Sequence, residues 1–174
     1  MEVEVKYRVS SLEEIEKRLK KLGAKFLGEF RETDIYFQHP CRNMARTDEA
    51  LRLRVVNGEC EFTYKGPRSS IGIKSREEIT VKIDSVDRML EILSRLGFRS
   101  IARLTKLRCK YVLNNCVISL DQIDNLGSFV EIEVLDEVED PLKTILDTIE
   151  LLQLKGAVIE KTYLELLLED NENI

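Results

Sequence analysis

The sequence predicts an α+β domain: a closed eight-stranded antiparallel β-barrel, forming a tunnel with a charged lumen and amphipathic helices packed outside it. Three observations lead there. Segment after segment alternates charged with apolar residues, the two-residue period of a strand with unlike faces. The polar face is concentrated in Arg, Lys, Glu and Asp of both signs, where an ordinary solvent face mixes in Ser, Thr, Asn and Gln. About eight segments share the pattern, roughly the number at which a sheet closes around a ligand-sized interior.

The first strand shows the division most clearly. Glu2, Glu4, Lys6 and Arg8 point one way, and Val3, Val5, Tyr7 and Val9 the other. Ser10 or Ser11 then caps a helix whose stripe is Leu12, Ile15, Leu19 and Leu22, ended by Gly23. A long strand follows over about 25–38, then a polar loop containing His39-Pro40-Cys41. Asn57-Gly58 sits between two alternating runs and predicts a tight hairpin. Arg52 and Arg54 oppose Leu51, Leu53 and Val55; Glu61, Thr63 and Lys65 oppose Phe62 and Tyr64. After a loop, Arg76 and Glu78 oppose Ile79 and Val81. Asp84 or Ser85 caps a second helix with the stripe Val86, Met89, Leu90, Leu93 and Leu96. Two more strands flank Asn114-Asn115, with Lys106, Arg108 and Asp121 on their charged faces, and a further strand carries Glu131 and Glu133. Asp140-Pro141 opens a third helix to about Leu154, since proline suits the first helical turn. A short strand near Ala157 and a last helix over EKTYLELLLED complete one domain, residues 1–174.

The blocks on these strands resemble those of the CYTH superfamily, the triphosphate tunnel metalloenzymes. Glu2-x-Glu4-x-Lys6 is similar to the family's ExExK signature. Asp34-Ile-Tyr36-Phe37, Leu51-Arg52-Leu53-Arg54, Thr63-Tyr64-Lys65-Gly66-Pro67, Arg76-x-Glu78, Lys106-x-Arg108, Leu120-Asp121, Leu126-Gly127-Ser128-Phe129 and Glu131-x-Glu133 follow in the family's order. The run from Lys161 to Leu167 resembles the closing helix of the class IV adenylate cyclase and thiamine triphosphatase branch. Short charge alternations arise by chance; ordered blocks over 2–167 do not.

The resemblance implies a metal-dependent enzyme acting on a small-molecule triphosphate, either a triphosphatase or a cyclase. It assigns the phosphate-binding cations as Lys6, Arg52, Arg54, Lys65, Arg76, Arg108 and Lys161, and Lys106 shares the parity of Arg108 as a helper. Carboxylates among such cations would weaken phosphate binding unless a divalent metal, Mg2+ or Mn2+, lay between. Glu2, Glu4, Glu131 and Glu133 are the candidate metal ligands, because neighbouring strands lie about 4.8 Å apart and can converge on one ion. Glu78 and Asp121 are the candidate catalytic groups, each also able to serve as a metal ligand or an arginine partner. Water attacking the terminal phosphorus makes a triphosphatase; a ribose 3′-hydroxyl attacking the α-phosphorus makes a cyclase. The residues do not separate the two.

Other classes fit less well. A polyanion- or RNA-binding barrel would interleave aromatics with bases on one face, whereas Tyr64 and Tyr111 lie opposite the charged one and only Phe129 shares it. The net charge of −5 likewise argues against bulk nucleic-acid binding. A solvated sheet face with no ligand is the remaining plain reading. Cys60 and Cys109 fall on apolar faces as small core residues, and His39 without a second histidine or a CxxC predicts no zinc site. The opening MEVEVKYRV has no signal-peptide pattern, and no run nears the roughly 18–20 apolar residues that span a bilayer, so a cytoplasmic location without a membrane partner is expected. Oligomeric state is not legible.

Overall fold

A computed structural model of the chain describes residues 3–68, 76–135, 138–156 and 158–172. In chain order the elements are β1 (Glu4–Val9), α1 (Leu12–Lys21), β2 (Lys25–Gln38), β3 (Ala50–Val56), β4 (Glu59–Lys65), β5 (Glu78–Ile83), α2 (Val86–Arg95), β6 (Arg99–Leu113), β7 (Cys116–Ile123), β8 (Gly127–Val134), α3 (Pro141–Leu152) and α4 (Tyr163–Glu172). No helix among the described residues is long and apolar enough to cross a membrane.

Local chemistry sets the boundaries. Ser11, Ser85 and Asp140 cap α1, α2 and α3, each side chain accepting from the backbone N–H three residues on. These bonds satisfy donors the helix cannot, typically worth about 1 kcal/mol each. Asn57-Gly58 and Asn114-Asn115 both take left-handed conformations at their two central positions, which matches the right-handed twist of the strands they join.

All eight strands form one antiparallel sheet in the order β1-β8-β7-β6-β2-β3-β4-β5. Side chains from every strand but β7 line a single cavity, so the sheet curls around its charged face. The barrel does not close, however: β1 and β5 are edges, and no ladder joins them among the described residues. The outer edge of β1 is instead taken by the connection before α4. Tyr7 bridges Val158, and the Ile159 N–H donates to the Lys6 carbonyl at 2.8 Å. The strand expected near Ala157 is therefore this bridge at Val158, with Ala157 itself outside the described residues. The two ends of the sheet nonetheless share the interior: Glu4 and Glu133 line the same cavity as Lys65 and Glu78.

Three helices cover the apolar outer face, as the parity predicts. Ile15 and Leu19 of α1 and Ile145 and Leu152 of α3 pack on Tyr111, Ile118, Leu120, Val130 and Ile132. On the other half of the sheet, Leu93 of α2 packs with Ile35, Phe37, Leu51 and Leu53. Truncating such buried Leu or Ile side chains to Ala typically costs about 2–5 kcal/mol. The fourth helix breaks the expected arrangement. Tyr163, Leu166 and Leu167 of α4 pack on Leu104, Ile123, Leu126 and Phe129. Leu104, Ile123 and Phe129 share the parity of Lys106, Asp121 and Glu131, so α4 lies on the concave, charged side of the sheet rather than outside it. The physical cause is that apolar patch, which needs a dry cover that charged neighbours cannot give.

Candidate functional site

The cavity has a volume of about 310 Å3, at the small end of ligand-binding pockets. Eight Lys or Arg and eight Asp or Glu side chains line it. Its walls are therefore neutral as a set, and which charges already have partners decides what it can bind.

On one wall the charges are paired and buried. Arg54 donates Nε and Nη2 to the two oxygens of Asp34, at 2.7 and 2.8 Å, in a bidentate fork. Lys106 Nζ lies 3.2 Å from Glu32 Oε2 and 3.8 Å from Asp34 Oδ2. Arg108 donates Nε to Asp121 Oδ1 at 2.6 Å and also bonds Glu131, which Lys6 Nζ approaches to 3.2 Å. Tyr163 completes the set from α4: its hydroxyl donates to Asp121 Oδ2 at 2.7 Å, and Lys6 Nζ sits 4.0 Å above its ring. The titration of these groups follows. Burial would raise Asp34, but the Arg54 fork holds it well below the carboxylate range. Burial would likewise raise Glu131, and Arg108 and then Lys6 hold it well down. For Lys106, burial and the neighbouring Arg108 and Arg54 push the ammonium down to about 8.

The rest of the cavity is unbalanced. Arg52 is only 9% exposed, its Nε has no hydrogen-bond partner, and it forms no ion pair among the described residues. Arg76 donates to the Gly66 carbonyl at 3.2 Å, and Lys110 lies 5.7 Å from the Phe30 ring, but neither has a carboxylate partner among the described residues. Glu4 and Glu133 stand directly opposite each other on β1 and β8, also without an ion pair or hydrogen bond there. Burial raises both, and Glu131 adds to it in each; for Glu133 the nearby Lys110 pulls the other way. Two crowded carboxylates that resist ionisation are a fitting place for a divalent cation. Mg2+ in particular is commonly held by one or two carboxylates, with phosphate and water completing its shell. Among the described residues no group of three or more His, Cys, Asp or Glu side chains is placed to hold a metal ion.

Of the residues singled out in the sequence, Lys6, Arg52, Arg54, Lys65, Arg76, Lys106, Arg108, Glu4, Glu78, Glu131 and Glu133 come together at this cavity. Glu78 is bonded to Lys65. Glu2 lies outside the described residues. Asp121 is fully buried behind Arg108 and Tyr163 and does not line the cavity. Lys161 is exposed with its Nζ on Glu169 at 2.7 Å; it reaches the cluster only through its carbonyl, which accepts from Lys6 at 3.4 Å. Glu32, Lys110, Asp48, Glu49, Tyr163 and Glu165 were missed. Glu32 and Lys110 could have been found by extending the parity of Asp34 and Arg108 by two residues; the loop and helix residues carry no such signal.

Fold and cavity define a class of α+β proteins in which one curled antiparallel sheet encloses a buried, charge-lined cavity. Residues 1–165 match the CYTH domain family model. A Methanocaldococcus jannaschii protein named as a candidate adenylate cyclase is 36% identical over 171 residues, covering 95% of this chain and 98% of its own. The PH1819 protein of Pyrococcus horikoshii OT3 superposes with a TM-score of 0.83 at 38% identity, covering 98% of this chain and 99% of that one. HpAC1 of Hippeastrum, described as having a dominant triphosphatase activity, shares the fold with a TM-score of 0.73 at 18% identity, over 98% and 96% of the two chains. The chain belongs to the CYTH domain family.

Proposed function

We propose that the protein is a metal-dependent enzyme that grips a triphosphate in this cavity and hydrolyses it, with cyclase chemistry of the class IV type as the alternative. The observation that carries the reading is Arg52, a buried guanidinium lining the cavity with no hydrogen-bond partner for its Nε among the described residues. Such a group is costly unless an anion meets it. Arg76 and Lys110 add cations that form no ion pair among the described residues.

Within this reading Arg52, Arg76 and Lys110 bind the phosphate oxygens, with Lys6 and Lys65 exchanging their present partners for them. Glu4 and Glu133 hold the divalent cation, which when bound neutralises charge on the phosphate chain. Arg54 and Arg108 keep their orientation through Asp34 and Asp121, so Asp121 is a positioning residue. In hydrolysis the oxygen of water bonds to the terminal phosphorus, and the bridging P–O bond breaks, releasing orthophosphate. The proton leaving that water passes to the carboxylate of Glu78, which lines the cavity where Asp121 does not. Hydrolysis is favoured over cyclisation because water needs no nucleoside pocket, and the lining is dominated by charges with no set of base-reading groups among the described residues.

The test is product analysis. The protein is incubated with ATP, thiamine triphosphate or tripolyphosphate, each with Mg2+ or Mn2+, and the products are separated. Orthophosphate is the expected product. Cyclic AMP with pyrophosphate would assign the cyclase instead. No turnover despite tight tripolyphosphate binding would replace the enzyme by a binding module.

A further inference from the structure

Arg68 follows β4 and has no part in the site described above, yet it makes more charged hydrogen bonds than any other side chain of the described residues outside the buried wall. Its backbone N–H donates to Asp48 Oδ2 at 2.8 Å, and its Nε donates to both oxygens of Asp48 at 2.9 and 3.0 Å. Its two Nη groups donate to Glu165, at 2.8 and 3.2 Å, and Nη1 also to the Glu160 carbonyl at 3.3 Å. One guanidinium thereby joins the β2–β3 loop, the end of β4 and the first turn of α4. Asp48 and Glu165 both line the cavity, Asp48 with Glu49 and Ala45 on one side and Glu165 with Thr162 and Leu164 on the other. Loop and helix therefore both line the cavity, and Arg68 ties them together.

The contacts are good in geometry but not deeply buried. The side chain of Arg68 is 23% exposed, that of Asp48 36% and that of Glu165 40%. Exposed ion pairs of this kind are individually weak, so this link can part without unfolding the sheet. Glu165 has a second task. It accepts from the Thr162 N–H at 2.6 Å, and its own N–H donates to Thr162 Oγ1 at 3.2 Å, so the same residue that receives Arg68 caps α4.

We propose that Arg68 is a clasp that holds the first turn of α4 against the β2–β3 loop, and that its release sets how bulky a triphosphate the cavity admits. The second half rests on the triphosphate reading; the first does not. A bare tripolyphosphate is a narrow chain, whereas a nucleoside or thiamine end needs further room, which parting of loop and helix would give. Release also presents the Arg68 guanidinium to an entering anion.

The test begins with amide hydrogen exchange on the ligand-free protein. R68M keeps the apolar stem, and E165Q keeps the cap, since Gln serves that position as well as Glu. Each should speed exchange of the α4 amides over 163–169 by about tenfold, and the double variant should add little to either, because the two remove one interaction. Unchanged exchange in both single variants, or additive effects in the double, overturns the clasp. With substrates, the ratio of KM for ATP to KM for tripolyphosphate should fall by about threefold or more in R68M. Faster exchange with an unmoved ratio overturns the access role and leaves the clasp. A wild-type protein that binds no triphosphate defeats the proposed function, while the exchange result still decides the clasp.

Discussion

Replacing Arg52 with Met should make the protein more stable and its triphosphate binding worse. Arg52 is buried, and its Nε has no partner among the described residues. A buried charge with no ion-pair partner costs several kcal/mol in principle, and the neighbouring Asp34, which feels the Arg52 charge, offsets part of it. Arg52 faces a cavity that water can enter, so a gain of about 1–3 kcal/mol is the reasonable expectation for R52M. For a chain of this length that corresponds to a melting temperature about 3–8 °C higher. Arg108 supplies the control. It lines the same cavity, but its partners Asp121 and Glu131 are buried carboxylates, so R108M leaves Asp121 to the Tyr163 hydroxyl and Glu131 to Lys6 and should lose about 3–5 kcal/mol. Binding separates the variants from a general packing effect. A charge-assisted hydrogen bond contributes about 1.5–3 kcal/mol, so R52M should weaken tripolyphosphate binding by about 10- to 150-fold. Thermal melts with and without tripolyphosphate, together with titration calorimetry, read both quantities. If R52M melts below the wild type, or binds tripolyphosphate as well, the argument from the unpartnered guanidinium fails.

Glu4→Gln and Glu133→Gln should each abolish turnover without lowering the melting temperature at pH 7.5. Their carboxylates lie above the usual range when folded, so the stability cost of ionising them sets in as pH rises past about 4.5, and a neutral amide removes it. Mg2+ or Mn2+ should accordingly stabilise the wild type at neutral pH and not the variants; near-wild-type turnover in either would remove that residue from the metal site. Lys106 gives the opposite slope. Its folded value of about 8 lies below the ordinary lysine value of 10.5, so the cost of its charge is fully present below pH 8 and relieved as pH rises towards 10.5. Tripolyphosphate affinity should fall between pH 7 and 9 in the wild type and fall less in K106M. Equal slopes in a calorimetric titration would show that Lys106 does not meet the ligand.

Parity made most of this legible. Strict alternation in Glu4-x-Lys6, Arg52-x-Arg54, Lys106-x-Arg108 and Glu131-x-Glu133 assigns every one of those side chains to the concave face, because a strand leaves no other choice. Alternation cannot say whether two edges meet. β1 spends its outer edge on Val158 and Ile159, a pairing between segments about 150 residues apart with no sequence signature. Nor did the position of α4 follow from its own residues. Leu164, Leu166, Leu167 and Leu168 leave it without one distinct apolar stripe, so it gives no direction to face. The signal lay on the strands instead, where Leu104, Ile123 and Phe129 interrupt the charged parity. The seclusion of Asp121 has the same origin, since α4 brings Tyr163 over it, and of the roles the sequence offers it the arginine partner is the one in view.

The paired wall and the unbalanced wall explain each other. A cavity with equal numbers of fixed positive and negative groups could collapse into salt bridges and bind nothing. Here rigid strands prevent that. Asp34 and Asp121 saturate Arg54 and Arg108 through forks that lock both guanidinium planes, and Glu131 is consumed between Arg108 and Lys6. Glu4 and Glu133 are left on β1 and β8 and Arg52 on β3, all lining the cavity, with no ion pair between the two sets among the described residues. Within the proposed function, a cation at the carboxylates and a polyanion at the arginine each leave the other's charge to be met. Filling both at once is the arrangement with the least uncompensated charge, so the two ligands should bind with positive coupling, each tightening the other by the same factor.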